Sequence, residues 1–202
     1  LGHTFSFPCR QRDVNHAVLI SWTKEISTAG VEGREVNGLL AAALARRGLA
    51  RVRPVAVIND TVGTLLAAAY RDPCADIAAI CGTGHNTCYY DAAKGMIINM
   101  ESGNFDSLPF TALDDRLDAA SERPGAQRLE KMVAGRYLGE LVRLALADIN
   151  EAAGGPYSLS AEEIAGWLAA DDESSSRRRV AALVVGRSAR LVAATFRGVL
   201  AR

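Results

Sequence analysis

Between Pro54 and Tyr70 the chain reads PVAVINDTVGTLLAAAY, and it passes from an apolar strand into a helix with only two polar residues between. Val55 to Ile58 are four consecutive apolar residues, the pattern of the end of a buried strand. Thr61 to Tyr70 then carries leucine and alanine at helical density. A strand feeding straight into a helix is the building unit of an α/β fold. Asn59 and Asp60 occupy the junction. In α/β sheets ligands bind at the C-terminal ends of strands, where a carboxylate can accept the proton of an alcohol. The same position suits a helix N-cap, with Asp60 or Thr61 in that role, and caps are far commoner than catalytic bases. The dipeptide alone leaves both readings open.

Composition removes several function classes. The 202 residues are 49% hydrophobic and 6% aromatic, as in an ordinary globular protein. The 23 basic and 23 acidic residues cancel, so no net field favours nucleic acid or an anionic membrane. A small-molecule partner is expected instead. Cys9, Cys74, Cys81 and Cys88 form no CxxC pair and no His stands at ligand spacing, which predicts neither a metal site nor a disulfide framework. Reduced thiols and a cytoplasmic location are expected. No apolar run approaches the roughly 20 residues of a membrane span, and no basic segment precedes an apolar one as in an export signal. The chain begins at Leu1, inside an alternating stretch, and reads as an internal fragment.

The remaining pattern sets out the elements. Thr4 to Phe7 reads as a strand ended by Pro8, and Cys9 to Asn15 as a loop. HAVLISW suits a short strand or a turn-rich segment. Glu35 to Arg47 has helical spacing, with Gly48 at a left-handed cap. ADIAAICGTGHNTCYYD reads as strand, glycine turn and strand, and GMIINME adds a third strand, together a meander. After Asp114 helices take over: LDDRLDAAS, one long helix from about Gly125 to Asn150 with Pro124 at its first turn, and a short helix opened by a Ser160–Glu163 capping box. DDESSSRRR reads as a polar hinge before a last amphipathic helix over 180–200; its acidic residues offset the arginines, which argues against a nucleic-acid patch.

Several residues have the chemistry of a site. Gly82 and Gly84 flank Thr83 in GTGHN, so the backbone can turn tightly and aim N–H groups and a hydroxyl at a phosphate, although a plain hairpin turn explains the same residues. Thr23 and Lys24 offer a hydroxyl and a cation. Glu101 and Glu130 are carboxylates in separate segments, and Glu130 by itself reads as an exposed residue of the long helix.

Six blocks in order, TFSFPCRQ, SWTK, VINDTVGT, GTGHNTCYY, INMESGNF and RPGAQRLEKMVAGRYLGELVR, resemble the hexokinase family, the glucokinase-like ATP:sugar kinases of the actin-like ATPase superfamily. They run from residue 4 to residue 143. The resemblance implies an α/β fold of actin-like ATPase (ribonuclease H-like) type, present in part, with two lobes and a substrate cleft between them. Residues 1–59 would finish the small lobe and residues 60–202 would form part of the large one. The implied reaction is ATP-dependent phosphorylation of the 6-hydroxyl of glucose or a related hexose, feeding glycolysis, with Mg²⁺ held mainly through the nucleotide phosphates. Asp60 resembles the general base and Lys24 a cation near the transferred phosphate. Ser6, Phe7, Pro8, Thr23, Lys24, Asn59, Asp60, Asn86, Glu101, Gln127 and Glu130 resemble the sugar contacts, and Gly82, Thr83 and Gly84 the phosphate hairpin.

The sequence departs from the family where Ser102 replaces a tryptophan after Glu101, where the run Gly103-Asn104-Phe105-Asp106 replaces Gly-Ala-Phe-Gly, and in a short segment between Tyr90 and Gly95. The match weakens beyond Gly154. The family's first phosphate loop and adenosine motifs are expected outside these residues, so the fragment alone is expected to be inactive. A non-catalytic sugar sensor on the same fold is the alternative, against which the presence of both Asp60 and Lys24 argues.

Overall fold

The computed structural model describes residues 1–24, 26–152, 154–170, 172 and 174–201. Asp171 and Glu173, two of the acidic residues preceding SSSRRR, lie outside the described residues. The chain forms two compact units, residues 1–78 with 88–99 and residues 79–87 with 100–202.

In the first unit β1 (Gly2–Thr4) runs parallel to β4 (Ala56–Ile58), with Thr4 opposite Ile58. β2 (Cys9–Asp13) and β3 (His16–Leu19) form an antiparallel hairpin. The segment 9–15 is thus largely strand where the sequence suggested a loop. Four of the five β2 residues are exposed, so backbone pairing with β3 makes the strand and no apolar alternation announces it. α1 (Val36–Arg46) ends with Gly48 at φ 75°, the left-handed turn its position suggested. Ala17, Leu19, Trp22, Val36 and Val57 form one core. α2 (Asp60–Ala69) contributes Leu65 to a second, with Ala78 and Cys88.

β5 (Ile77–Cys81), β6 (His85–Asp91) and β7 (Met96–Asn99) make the expected meander. In the second unit a 3-10 turn (Ser102–Asn104) precedes α3 (Ala112–Ala120). The single long helix read over 125–150 is two, α4 (Arg128–Val133) and α5 (Gly135–Asp148). Ala134, at φ −84° and ψ 146°, is one extended residue between them, and Pro124 lies before α4 rather than in its first turn. The apolar periodicity survives the break because each half serves its own core. Leu129, Met132 and Val133 pack with Leu108, Phe110, Leu191 and Val192, whereas Leu141, Val142 and Leu146 pack with Leu117, Ile164, Ala181 and Val184.

α6 (Ala161–Ala169) carries the capping box read from Ser160 and Glu163. α7 (Ser176–Leu200) starts earlier than the amphipathic pattern suggested, because Ser175 accepts the Arg178 N–H and draws Arg177 to Arg179 into its first turn. Among the described residues no helix is long and apolar enough to cross a membrane.

Three buried carboxylates of the second unit are paired with cations. Asp114 accepts two hydrogen bonds from Arg187 at 2.9 and 2.8 Å, Asp118 one from Lys131 at 2.6 Å, and Glu140 two from Arg143 at 2.9 and 2.6 Å. Burial pushes each carboxyl up, but the hydrogen bonds and charges of the cations outweigh it and hold all three below the ordinary carboxylate range. The unfolded chain therefore binds more protons in acid. The stability from these groups is complete above the unfolded values of about 4 and is lost as pH falls through the lower folded values. Thermal midpoints are expected to change little between about pH 5 and 7 on their account and to drop below about pH 4. Asp118→Asn should flatten that drop; an acid profile identical to wild type would discount Asp118.

Candidate functional site

In the first unit the candidate residues meet around the end of β4. Asn59 has extended backbone, and its Oδ1 accepts the Thr61 N–H at 2.9 Å, so Asn59 is the N-cap of α2 and Asp60 its first helical residue. The sequence placed the cap at Asp60 or Thr61; an amide in extended conformation two residues before the first orphan N–H takes it instead. Asp60 Oδ1 also accepts the Thr61 N–H at 2.9 Å. The other carboxylate oxygen of Asp60 makes no hydrogen bond among the described residues, and the side chain is half-buried.

Lys24 comes to the same region from the segment after β3. Its ammonium donates to the Ser6 carbonyl at 2.8 Å and lies 5.3 Å from the centre of the Phe7 ring. Phe7 stacks edge-on against Trp22 at 4.6 Å, and Thr23 is buried beside it in sequence. Pro8 is fixed through its carbonyl, which accepts the Ile20 N–H at 2.8 Å. Phe7 and Asn59 line a common small cavity of about 20 Å³ with Phe5, Gln11 and Asn99. The structure thus gathers Ser6, Phe7, Pro8, Lys24 and Asn59, with Thr23 and Asp60 their chain neighbours.

The second unit holds the other set. β5 and β6 are joined by Gly82, Thr83 and Gly84, with the Gly82 N–H donating to the Gly84 carbonyl at 3.0 Å. Glu130 is buried to 2% exposure rather than solvated, and its Oε2 accepts the His85 N–H at 2.9 Å. That burial follows from α4 lying against the 3-10 turn: a Cβ on Gly103 would come within 2.7 Å of the His85 carbonyl, 2.8 Å of Gln127 Oε1 and 3.1 Å of Glu130 Cβ. Only glycine lets the turn approach so closely. Asn86 Oδ1 accepts N–H groups from Thr87 at 2.7 Å and Ser102 at 3.2 Å. Gly82, Thr83, Gly84, Asn86, Gln127 and Glu130 are thereby assembled, with Glu101 at the start of the turn.

Three candidate residues have left-handed backbone: Lys24 at φ 62°, Glu101 at 50° and Gln127 at 54°. Such conformations in non-glycine residues cost of order 1–3 kcal/mol and persist where the surroundings fix them, commonly at functional sites. Gln127 is fixed by Asn104 Oδ1, which accepts its N–H at 3.2 Å, and by Asp118, which accepts the Gly125 N–H at 2.8 Å.

Burial lowers the His85 pKa, against the opposing hydrogen bond to Ile80, so the ring is neutral near pH 7. Its Nδ1 donates to the Ile80 carbonyl at 3.1 Å, which sets the tautomer, because a carbonyl can only accept. Burial pushes the Cys88 thiol up to about 11, and its Sγ donates to the Thr61 carbonyl at 3.3 Å. Such a thiol is inert. Among the described residues no cysteine is in a disulfide, and no three His, Cys, Asp or Glu side chains gather to hold a metal.

Sequence reasoning missed Asp118 and Lys131, and it noted Ser102 and Asn104 only as departures from the family pattern. Ser102, where the family's tryptophan would stand, is buried and donates to Thr87 Oγ1 at 3.2 Å. Asn104 supports Gln127. The only signal available for either was its departure from the family pattern.

Two hexokinase family models match the chain, one over residues 1–70 and the other over residues 76–161. Hexokinase-1 of Schizosaccharomyces pombe is 45% identical over 169 residues, covering 75% of this chain and 35% of that protein. Hexokinase-1 of Rattus norvegicus is 47% identical over 161 residues, covering 72% of this chain and 18% of that protein. A solved hexokinase from Schistosoma mansoni, complexed with glucose, superposes with a TM-score of 0.87 at 34% identity, over 100% of this chain and 56% of that one. The chain therefore spans about a third or less of these two curated relatives and about half of the solved structure.

Proposed function

The chain belongs to the hexokinase family, with its actin-like ATPase fold, and from that premise we propose that the protein containing it transfers the terminal phosphoryl group of Mg-ATP to the 6-hydroxyl of glucose or a related hexose. The observation that carries the reading is the left-handed backbone of Lys24, Glu101 and Gln127, three polar side chains of the kind a sugar and a phosphate require. A hexose presents hydroxyls that both donate and accept, and carboxylates and amides answer both needs.

Asp60 accepts the 6-hydroxyl proton as that oxygen attacks phosphorus. In the first unit Ser6, Phe7, Pro8, Thr23 and Asn59 are sugar contacts, and in the second unit Asn86, Glu101, Gln127 and Glu130 are. Lys24 supplies positive charge to the transferred phosphoryl group. The Gly82–Gly84 hairpin fits a phosphate: Thr83 is exposed, and its hydroxyl makes no hydrogen bond among the described residues. Mg²⁺ would arrive with the nucleotide phosphates and would neutralise their charge there. In lobe terms, residues 1–59 belong to the smaller lobe of the family fold and residues 60–202 to the larger. A cytoplasmic location is part of the same reading, reduced thiols being the rule there.

The test is a coupled assay of the full-length protein with Mg-ATP across glucose, fructose and mannose. Formation of hexose 6-phosphate is expected. Saturable hexose binding with no phosphoryl transfer would make the protein a sugar sensor instead. Lys24→Met is expected to lower kcat by about 10²-fold or more, as for loss of one charge-stabilising group, with a smaller change in hexose KM.

A further inference from the structure

The break between α4 and α5 has a use that helix packing alone does not require. Because Ala134 is extended, the first N–H groups of α5 are not consumed by a continuous helix. Instead, the Gly135 N–H donates to the Gly82 carbonyl at 2.8 Å and the Arg136 N–H approaches the Thr83 carbonyl at 3.4 Å. The positive end of the helix is spent on the phosphate hairpin.

The geometry of the peptide unit turns this tie into an orientation. In a trans peptide the carbonyl of one residue and the N–H of the next point in opposite directions, and no cis peptide bond occurs among the described residues. Anchoring the carbonyls of Gly82 and Thr83 to α5 therefore directs the N–H groups of Thr83 and Gly84 away from α5. Neither of those N–H groups donates a hydrogen bond among the described residues. Successive N–H groups facing one way, beside an unengaged hydroxyl, form an anion-binding concavity. The other end of the hairpin is held by Glu130 at the His85 N–H. Gly135 sets the approach: a Cβ there would lie 3.1 Å from the Gly82 carbonyl oxygen, closer than packed carbons normally come, and would push the hairpin away.

We propose that Gly135 is a positioning residue for the nucleotide phosphates, acting through the Gly82 and Thr83 carbonyls to aim the Thr83 and Gly84 N–H groups. The proposal rests on the hexokinase reading above and adds a residue that touches no substrate. Gly135→Ala should displace the hairpin by a few tenths of an ångström. Since a 1 Å misplacement costs on the order of 10²-fold, KM for Mg-ATP is expected to rise about tenfold. KM for hexose should rise by less: Asn86 and Glu130 adjoin the hairpin, but the Glu130 bond to the His85 N–H holds that end in place, and Asn59 and Asp60 lie on another element.

The experiment measures both KM values, kcat and the thermal midpoint of the full-length protein for wild type, Gly135→Ala, Gly166→Ala and Val142→Ala. Gly166 lies in α6 with open space where a Cβ would go, so its alanine variant shows the effect of helix propensity alone. Val142 is fully buried, so its alanine variant shows the effect of lost core stability. A rise in KM for Mg-ATP confined to Gly135→Ala supports the proposal. Equal rises in both KM values, no change, or the same rise in Val142→Ala would overturn it while leaving the hexokinase reading standing. A wild-type protein that phosphorylates no hexose would overturn that reading and this inference together.

Discussion

Asp60→Ala in the full-length protein is expected to lower kcat by about 10²- to 10⁴-fold, the usual worth of general-base assistance, and to leave hexose binding partly intact. The effect should fall on turnover because of how the junction divides its work. Asn59 caps α2 through its Oδ1, so removing the Asp60 carboxylate takes away one local hydrogen bond to the Thr61 N–H and leaves the cap in place. Loss of the whole cap would cost about 1 kcal/mol, too little to unfold a domain. A variant with normal circular dichroism and a midpoint near wild type, but with turnover lost, is the expected outcome. Near-normal turnover would remove Asp60 from its role.

Asp118→Ala is expected to destabilise the second unit by about 3–5 kcal/mol, the cost of leaving a buried charge without its partner. The Lys131 side chain is only 6% exposed, and its ammonium is held by Asp118 at 2.6 Å and the Arg123 carbonyl at 2.8 Å. Arg128 contributes a second cation at 3.1 Å from the same carboxylate. The contrast is Arg116 with Asp148, at 2.8 Å but with both side chains about half exposed. Arg116→Ala should cost no more than about 1 kcal/mol, since water and salt screen that pair. Denaturant titrations of the two variants decide the matter; similar losses would mean that burial of the Asp118 group is not what makes it matter. Because Asp118 also holds the Gly125 N–H, two residues before left-handed Gln127, its loss should raise hexose KM as well.

These predictions differ in where they could be found. Asp60 was legible in the sequence because a strand ending in Asn-Asp before a helix is a local pattern, and the six ordered blocks assigned it a role. The cap was misplaced by one or two residues, since the choice among Asn59, Asp60 and Thr61 depends on the backbone angle of Asn59, which composition does not reveal. Glu130 was misjudged as exposed, because its neighbours along α4 say nothing of the 3-10 turn whose Gly103 lets it be buried. β2 was read as a loop because its residues are polar on both faces and pair only through the backbone.

The sequence by itself determined the α/β class, the meander, the Ser160 capping box, the left-handed Gly48 and the family, because each rests on periodicity, on a residue type with one conformational use, or on ordered motifs. The tertiary structure decided the break at Ala134, the burial of Glu130 and the network of Asp118, Lys131 and Arg128. Those depend on which distant backbone groups meet: a Gly82 carbonyl that claims the Gly135 N–H ends one helix and begins another, and no local propensity of VAGRY records that contact.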